Sequence, residues 1–301
     1  MIARGRAASI YILADLEGSS GCWDREASQF RTRAWASACR ELSLDLDGAV
    51  KACFAAGAAT VTVRDFHRTC YNVMPELLDA RARIIQGYRR GEVPGIGDVS
   101  NHDRALFLGM HASSGSAGFL AHTLTTRFRE VTVNGRPLAE IELFAGVLAK
   151  QGVVPVFFSG CPVACVEASA AVPGIGTHPI EKVTGASHFD AARWRNTLAE
   201  AIRCRLEQPI APFEPAAGPY AVTLRVRIGI DARAIAAPWS LETQGDTIRF
   251  TAADIDACYR TLIRLAYLTP WTERLSRIAL PLANLSGQRG LRWARKVVHA
   301  G

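Results

Sequence analysis

The sequence predicts an α/β fold with a mainly parallel sheet and flanking helices, and three observations lead there. Four short apolar runs, residues 10–14, 59–63, 105–110 and 153–158, have the length of buried strands. A helical apolar pattern over residues 34–56 separates the first two, and strands alternating with helices give a parallel sheet covered on both faces. Each run also ends in polar chemistry: Asp15-Leu16-Glu17, Arg64-Asp65-Phe66-His67, His111, and Ser159-Gly160-Cys161. In such sheets ligands bind outside the carboxyl ends of the strands.

Along the chain, Arg4 and Arg6 precede an apolar stretch in the manner of a short secretory signal. That stretch ends at Asp15 and Glu17 with no small-residue cleavage site, so a first buried strand fits better. The Asn134-Gly135-Arg136-Pro137 turn precedes a helix over residues 139–150. Beyond Glu207 the prolines 209, 212, 215 and 219 mark a crossing loop. Residues 220–228 and 247–250 then alternate like half-buried strands, and Thr251 to Asp254 resembles a capping box opening a helix that runs to residue 268. The expected organisation is a metal-binding α/β domain over 1–207, a smaller α+β unit over 208–270 and a basic C-terminal extension over 271–301. Gly287 and Gly290 are expected to break any long helix in that extension.

Composition narrows the function classes. The 301 residues are 49% hydrophobic and 21% charged, which excludes disordered, collagen-like and coiled-coil chains. A chain of this size needs neither disulfides nor a structural metal, so a metal site here is one that does chemistry. The formal charge of +7 is concentrated after residue 270, where six basic side chains face the single acid Glu273. The body is nearly neutral, which argues against nucleic acid as a partner. No apolar run approaches the roughly 20 residues of a membrane helix, so no membrane is expected either. Eight scattered cysteines without zinc-knuckle spacing fit reduced thiols in the cytoplasm.

The chemistry lies in the strand ends. Asp15 and Glu17, two apart, point to one face and repel each other unless a cation lies between them. His67 and His111 arrive from two other strands. Glu140 shares a helical row with Phe144 and Val147, the buried row, where a lone acid is costly. Each feature alone is commonly structural; their placement at one sheet edge points to a metal. Mixed imidazole and carboxylate ligands suit zinc, manganese or iron. Five exceed one closed tetrahedral site and suit two metals about 3.5–4 Å apart.

The motifs Ala14-Asp15-Leu16-Glu17-Gly18, Arg64-Asp65-Phe66-His67, Leu108-Gly109-Met110-His111, Ala121-His122-Thr123 and Asn134-Gly135-Arg136-Pro137-Leu138-Ala139-Glu140 resemble, in order and spacing, those of the D-aminopeptidase family of zinc metallopeptidases. The resemblance implies a zinc-dependent aminopeptidase hydrolysing small peptides with D-amino acids at a two-zinc site, assembled as a homodecameric ring. It also implies that Asp15, Glu17, His67, His111 and Glu140 are metal ligands and that His122 is catalytic, its role open between carbonyl polariser, proton carrier and nucleophile. Asp65 is expected to orient His67. The chain departs from the family at Arg64, usually Asn, at Gly160-Cys161-Pro162, usually Gly-Asp-Asp, and in the 182–188 segment. Two alternatives therefore stand beside the peptidase. One is a metal-dependent hydrolase of a non-peptide substrate, which Arg64 would make anionic. The other is a non-catalytic protein that uses its basic tail on nucleic acid or an acidic surface.

Overall fold

Ser9–Ala14 (β1), Thr60–Asp65 (β2), Arg83–Ile85 (β3), Arg104–Met110 (β4), Val154–Gly160 (β7) and Gly176–Pro179 (β8) form one six-stranded sheet, all parallel. The computed structural model describes residues 7–89, 93–183 and 185–299; Arg4 and Arg6 lie outside them. The four expected strands are its centre, and β3 and β8 close its two edges. Strand order is β3-β2-β1-β4-β7-β8. The chain thus winds outward from β1 to one side and then from β4 to the other, and the order reverses between β1 and β4. Doubly wound sheets bind their ligands at that switch point.

Alternation along β1 shows why the strand reads as continuously apolar. Tyr11 and Leu13 enter a core shared with the second sheet and with Glu140–Ala149 (α2), Pro162–Ala171 (α3) and Ile255–Tyr267 (α6). Ile10, Ile12 and Ala14 enter the opposite core, made with Arg33–Ala55 (α1), Ala191–Glu207 (α4) and Ser276–His299 (α8). Both faces are covered, so no polar face remains.

The second sheet is antiparallel. It joins Phe128–Val133 (β5) and Arg136–Pro137 (β6) to Tyr220–Val226 (β9), Glu242–Gln244 (β10) and Thr247–Ala252 (β11), in the order β10-β11-β9-β5-β6. Residues 208–270 therefore complete a sheet that residues 128–137 begin. The turn between β5 and β6 is Asn134-Gly135, both left-handed (φ 50° and 78°), the pair that a two-residue hairpin requires. Ala232–Ala236 (α5) lies between β9 and β10, and Pro270–Arg274 (α7) leads into α8. Asp254, not Thr251, caps α6: its side chain accepts from the Ala257 N–H.

Contrary to the expectation from its glycines, the tail forms a 24-residue helix, α8. Gly287 and Gly290 face inward, and a Cβ on either would stand 2.4 Å from the Tyr71 ring or 2.2 Å from the Phe30 ring. They are there so that the helix can approach the body, and the propensity cost of about 1 kcal/mol each is offset by that packing. Trp293 stacks on Trp35 and Asn284 bonds both backbone groups of Tyr88.

Two other glycines set the site's geometry. A Cβ on Gly18 would lie 1.9 Å from the Met110 carbonyl oxygen, and one on Gly109 (φ 75°) would lie 2.0 Å from that of Asp15. The ends of β1 and β4 can meet this closely only without side chains there. Gly109→Ala is expected to lose about 3 kcal/mol or more through strain and backbone displacement. Urea unfolding would measure it, and a loss under 1 kcal/mol would contradict the packing.

Candidate metal centre

The ends of β1, β2 and β4 and the start of α2 bring six side chains to the switch point. Asp15, Glu17, His67, His111 and Glu140 are all at most 5% exposed. β1 continues its ladder one residue further, Asp15 N–H donating to the Leu108 carbonyl at 2.8 Å, and Gly18 N–H donates to that of Gly109 at 2.8 Å. These two bonds fix Asp15 and Glu17 against the end of β4, from which His111 follows.

The donor atoms converge. His67 Nδ1 is 3.1 Å from Asp15 Oδ1 and 2.9 Å from Glu17 Oε2. His111 Nε2 is 3.4 Å from Asp15 Oδ2 and 3.6 Å from Glu140 Oε1. Asp15 therefore turns one oxygen to each imidazole. His111 Nδ1 donates to the Ala112 carbonyl at 3.1 Å, leaving the Nε2 lone pair free. Two overlapping groups, Asp15–Glu17–His111 and His111–His122–Glu140, each have donor atoms within 4.8 Å of one another. His122 stacks on His111, ring centroids 3.8 Å apart and planes within 10°.

The electrostatics call for cations. Three buried carboxylates converge, and among the described residues no Lys or Arg pairs with any of them. Glu17 Oε2 is buried and accepts no hydrogen bond, His67 Nδ1 being aligned with Asp15 instead. Burial raises the Asp15 pKa, and the Glu17 charge raises it further. Burial likewise pushes Glu140 up, to about 8. Burial opposes a charge on His67 as well, but Glu17 and Asp15 outweigh it and hold its pKa at about 10. Metal-free, the cluster keeps extra protons among its acids and His67; a divalent cation replaces them.

Several supports are invisible in local sequence. Asp65 does not touch the His67 ring: it accepts from Asn72 and Val73 N–H, and Asn72 Nδ2 donates to the His67 carbonyl at 2.7 Å. Its control of His67 thus runs through the loop at 70–73. Glu167 on α3 accepts from Ser113 N–H and Oγ at 2.9 and 2.6 Å, pinning the loop between His111 and His122. Lys182, 8% exposed, donates from Nζ to the carbonyls of Ser19 and Cys22 and lies 4.4 Å over the Trp23 ring, which ties down the loop behind Glu17. Burial lowers the Lys182 pKa to about 8.

Arg64 does not face the site. It is fully buried, its guanidinium donating to the carbonyls of Gly95 at 2.7 Å and Gly87 at 2.8 Å. It braces the loop after β3 and leaves no charge for an anionic substrate, which removes one of the two observations behind a non-peptide substrate; the departure at Gly160-Cys161-Pro162 stands.

The family described as D-aminopeptidase matches residues 9–263, which includes every element that builds the centre. This chain belongs to the D-aminopeptidase family. A D-aminopeptidase of Bacillus subtilis (strain 168) is 25% identical over 272 residues, 88% of this chain and 98% of that one. Among solved structures, the Zn-dependent D-aminopeptidase DppA from Bacillus subtilis, described as a self-compartmentalizing protease, shares the fold. Its TM-score is 0.78 at 22% identity, over 86% of this chain and 97% of that chain. The D-aminopeptidase match stops before α7 and α8, so the helical tail is an addition to the family's region.

Proposed function

We propose that the chain is a zinc-dependent aminopeptidase that removes the N-terminal residue of small peptides containing D-amino acids. Asp15, Glu17, His67, His111 and Glu140 would hold two zinc ions, and His122 would be the catalytic base or nucleophile. The observation that carries this is the convergence of three buried carboxylates and three imidazoles, with no Lys or Arg partner among the described residues, at the switch point of a D-aminopeptidase fold. Zinc held by these residues would supply Lewis acidity toward a peptide carbonyl and would lower the pKa of water toward about 7.

The chain's own residues supply the rest. His122 Nδ1 donates to the Leu120 carbonyl at 2.8 Å, which leaves Nε2 without a proton in the neutral ring. Burial and the neighbouring His111 lower its pKa, so the ring stays neutral at pH 7. A ring in this tautomer accepts a proton or attacks; it has no N–H with which to polarise a carbonyl. The loop 112–121 that positions it is pinned by Glu167. The self-compartmentalizing relative supports a homo-oligomer, the decameric ring that the sequence motifs imply, with access for small peptides. All eight cysteines are free, which suits the reducing cytoplasm. Among the described residues no helix is long and apolar enough to cross a membrane.

Metal content and peptide hydrolysis test this together. Protein purified without added metal or chelator is expected to carry two zinc ions per chain and to cleave D-Ala dipeptides in preference to L-Ala dipeptides. A chain that neither carries zinc nor takes it up would overturn the proposal, and two zinc ions without cleavage would leave a metal hydrolase of another substrate.

A further inference from the structure

The helical tail lies beyond residue 263, where the D-aminopeptidase match ends, yet it reaches the metal centre through one short loop. Residues 86–88, which follow β3, hold the segment around His67 at four points. Gln86 Nε2 donates to the Asp65 carboxylate at 3.2 Å and to the Val73 carbonyl at 2.8 Å. Gly87 N–H donates to the Cys70 carbonyl at 2.9 Å, and the Tyr88 hydroxyl donates to the Arg68 carbonyl. α8 holds this loop in turn. Asn284 Oδ1 accepts from Tyr88 N–H at 2.7 Å, and Asn284 Nδ2 donates to the Tyr88 carbonyl at 3.0 Å. Gly87 (φ 78°) permits the approach: a Cβ there would stand 2.8 Å from Asn284 Oδ1 and 2.6 Å from the Tyr71 hydroxyl.

Arg68 is where these contacts meet the site. Its backbone is left-handed (φ 44°), a conformation that a long side chain keeps only where its surroundings impose it. The Tyr88 hydroxyl fixes the Arg68 carbonyl, and the guanidinium donates to the Ser28 carbonyl at 3.3 Å. That same Ser28 oxygen accepts from His67 Nε2 at 3.3 Å. A carbonyl has no proton to give, so Nε2 carries one. In the neutral ring the lone pair is then on Nδ1, the atom that faces Asp15 and Glu17. Arg68 thus holds both the backbone beside His67 and the oxygen that sets its tautomer.

We infer, taking His67 as the zinc ligand proposed above, that Asn284 is a positioning residue of the metal centre. It acts through Tyr88 and Arg68 on the direction of the His67 ring. Partners that hold a ligating imidazole from outside govern metal affinity by about 10- to 100-fold. Asn284 stands further out than those, so the lower end applies. The role belongs to this residue and not to the tail at large. Arg295, about three turns along α8, donates to the exposed Glu76 at 2.8 Å and supplies the control.

Zinc affinity and amide exchange test this without turnover. In the full chain, Tyr88→Phe removes only the hydroxyl, and Asn284→Ala removes the amide that anchors Tyr88. Each is expected to weaken zinc binding about tenfold in competition with a chromophoric chelator. In the metal-free chain each should also speed amide hydrogen exchange over residues 67–73 at least about fivefold. The double variant is expected to lose no more than either single one, because both cut the same connection. Arg295→Ala should leave zinc affinity and that exchange at their wild-type values. Unchanged zinc affinity in both single variants, a double loss equal to the product of the two, or an equal loss in Arg295→Ala would overturn the inference. His67→Ala separates this failure from that of the metal reading. If it keeps two zinc ions, His67 leaves the ligand set and the role of Asn284 falls with it. If it loses zinc while Tyr88→Phe and Asn284→Ala bind as the wild type does, Asn284 alone is removed.

Discussion

Asp15→Asn is expected to yield a folded protein that retains no zinc and hydrolyses no peptide. Asp15 is central because its two oxygens face different imidazoles, Oδ1 toward His67 and Oδ2 toward His111. The amide keeps the shape but removes the charge and replaces one acceptor oxygen with an N–H donor. Partners outside the coordination sphere already cost 10- to 100-fold in metal affinity when lost, so loss of this carboxylate should cost more than about 100-fold. Turnover should fall by about a thousandfold or more, since both the Lewis acid and the activated water depend on it. Stability should move the other way. In the metal-free chain burial, then repulsion from Glu17, disfavours the Asp15 charge, whereas at Glu17 burial is outweighed by His67, which holds that carboxyl well below the usual carboxylate range. The asparagine relieves that repulsion, so the metal-free variant should unfold no earlier than the metal-free wild type. Zinc should raise the unfolding temperature of the wild type, by about 2.7 kcal/mol of stabilisation at one hundred times the dissociation constant, and leave the variant unmoved. Zinc per chain, dipeptide hydrolysis and thermal unfolding with and without zinc measure the three effects. A variant that keeps its zinc would remove Asp15 from the ligand set.

The parts of the molecule that sequence reveals are those whose physics is local or periodic. The central strands were legible because burial on both faces leaves four uninterrupted apolar runs, and the acids and imidazoles were legible because they stand where those runs stop. β3 and β8 were not: three and four residues at the sheet edges, half-buried, carry almost no pattern. β5 and β6 left a usable sign in the Asn134-Gly135 turn, preceded by the alternating Val131 and Val133, and pairing these strands with β9 makes one sheet from two distant segments. Long-range partners account for the rest. Nothing near Gly287 or Gly290 in the sequence indicates Tyr71 and Phe30, so residues that weaken an isolated helix were mistaken for its end. Arg64, beside a metal-ligand motif, suggested an anionic substrate, but in a strand successive side chains take opposite faces. His67 lies in the site, whereas Arg64 reaches back to the carbonyls of Gly87 and Gly95. Lys182 and Glu167 act from 163 and 54 residues away on the loops they hold.

His122→Ala should lower kcat by about 10²- to 10⁴-fold, the range of general acid–base catalysis, while zinc content stays at the wild-type value. The two measurements must be made on the same preparation, because His122 also belongs by distance to the His111–His122–Glu140 group. A zinc ligand there would take the metal with it when removed, as Asp15→Asn does, and activity and metal would fall together. A base or nucleophile leaves the metal in place. The geometry favours the second outcome. His111 and His122 stack face to face, and coordination lies in the plane of an imidazole ring, so two stacked rings direct their lone pairs side by side and not at a common point. His111 Nε2 is turned to Asp15 and Glu140, which leaves His122 Nε2 the neighbouring position, where a substrate carbonyl or leaving amine would sit. Rescue experiments on His122→Ala then separate the two remaining roles, because a small exogenous imidazole can carry a proton into the vacated space. Rescue of His122→Ala by imidazole, with kcat rising in proportion to the unprotonated fraction, identifies the proton carrier. An acyl-enzyme trapped on the wild type, with no rescue of the variant, identifies the nucleophile.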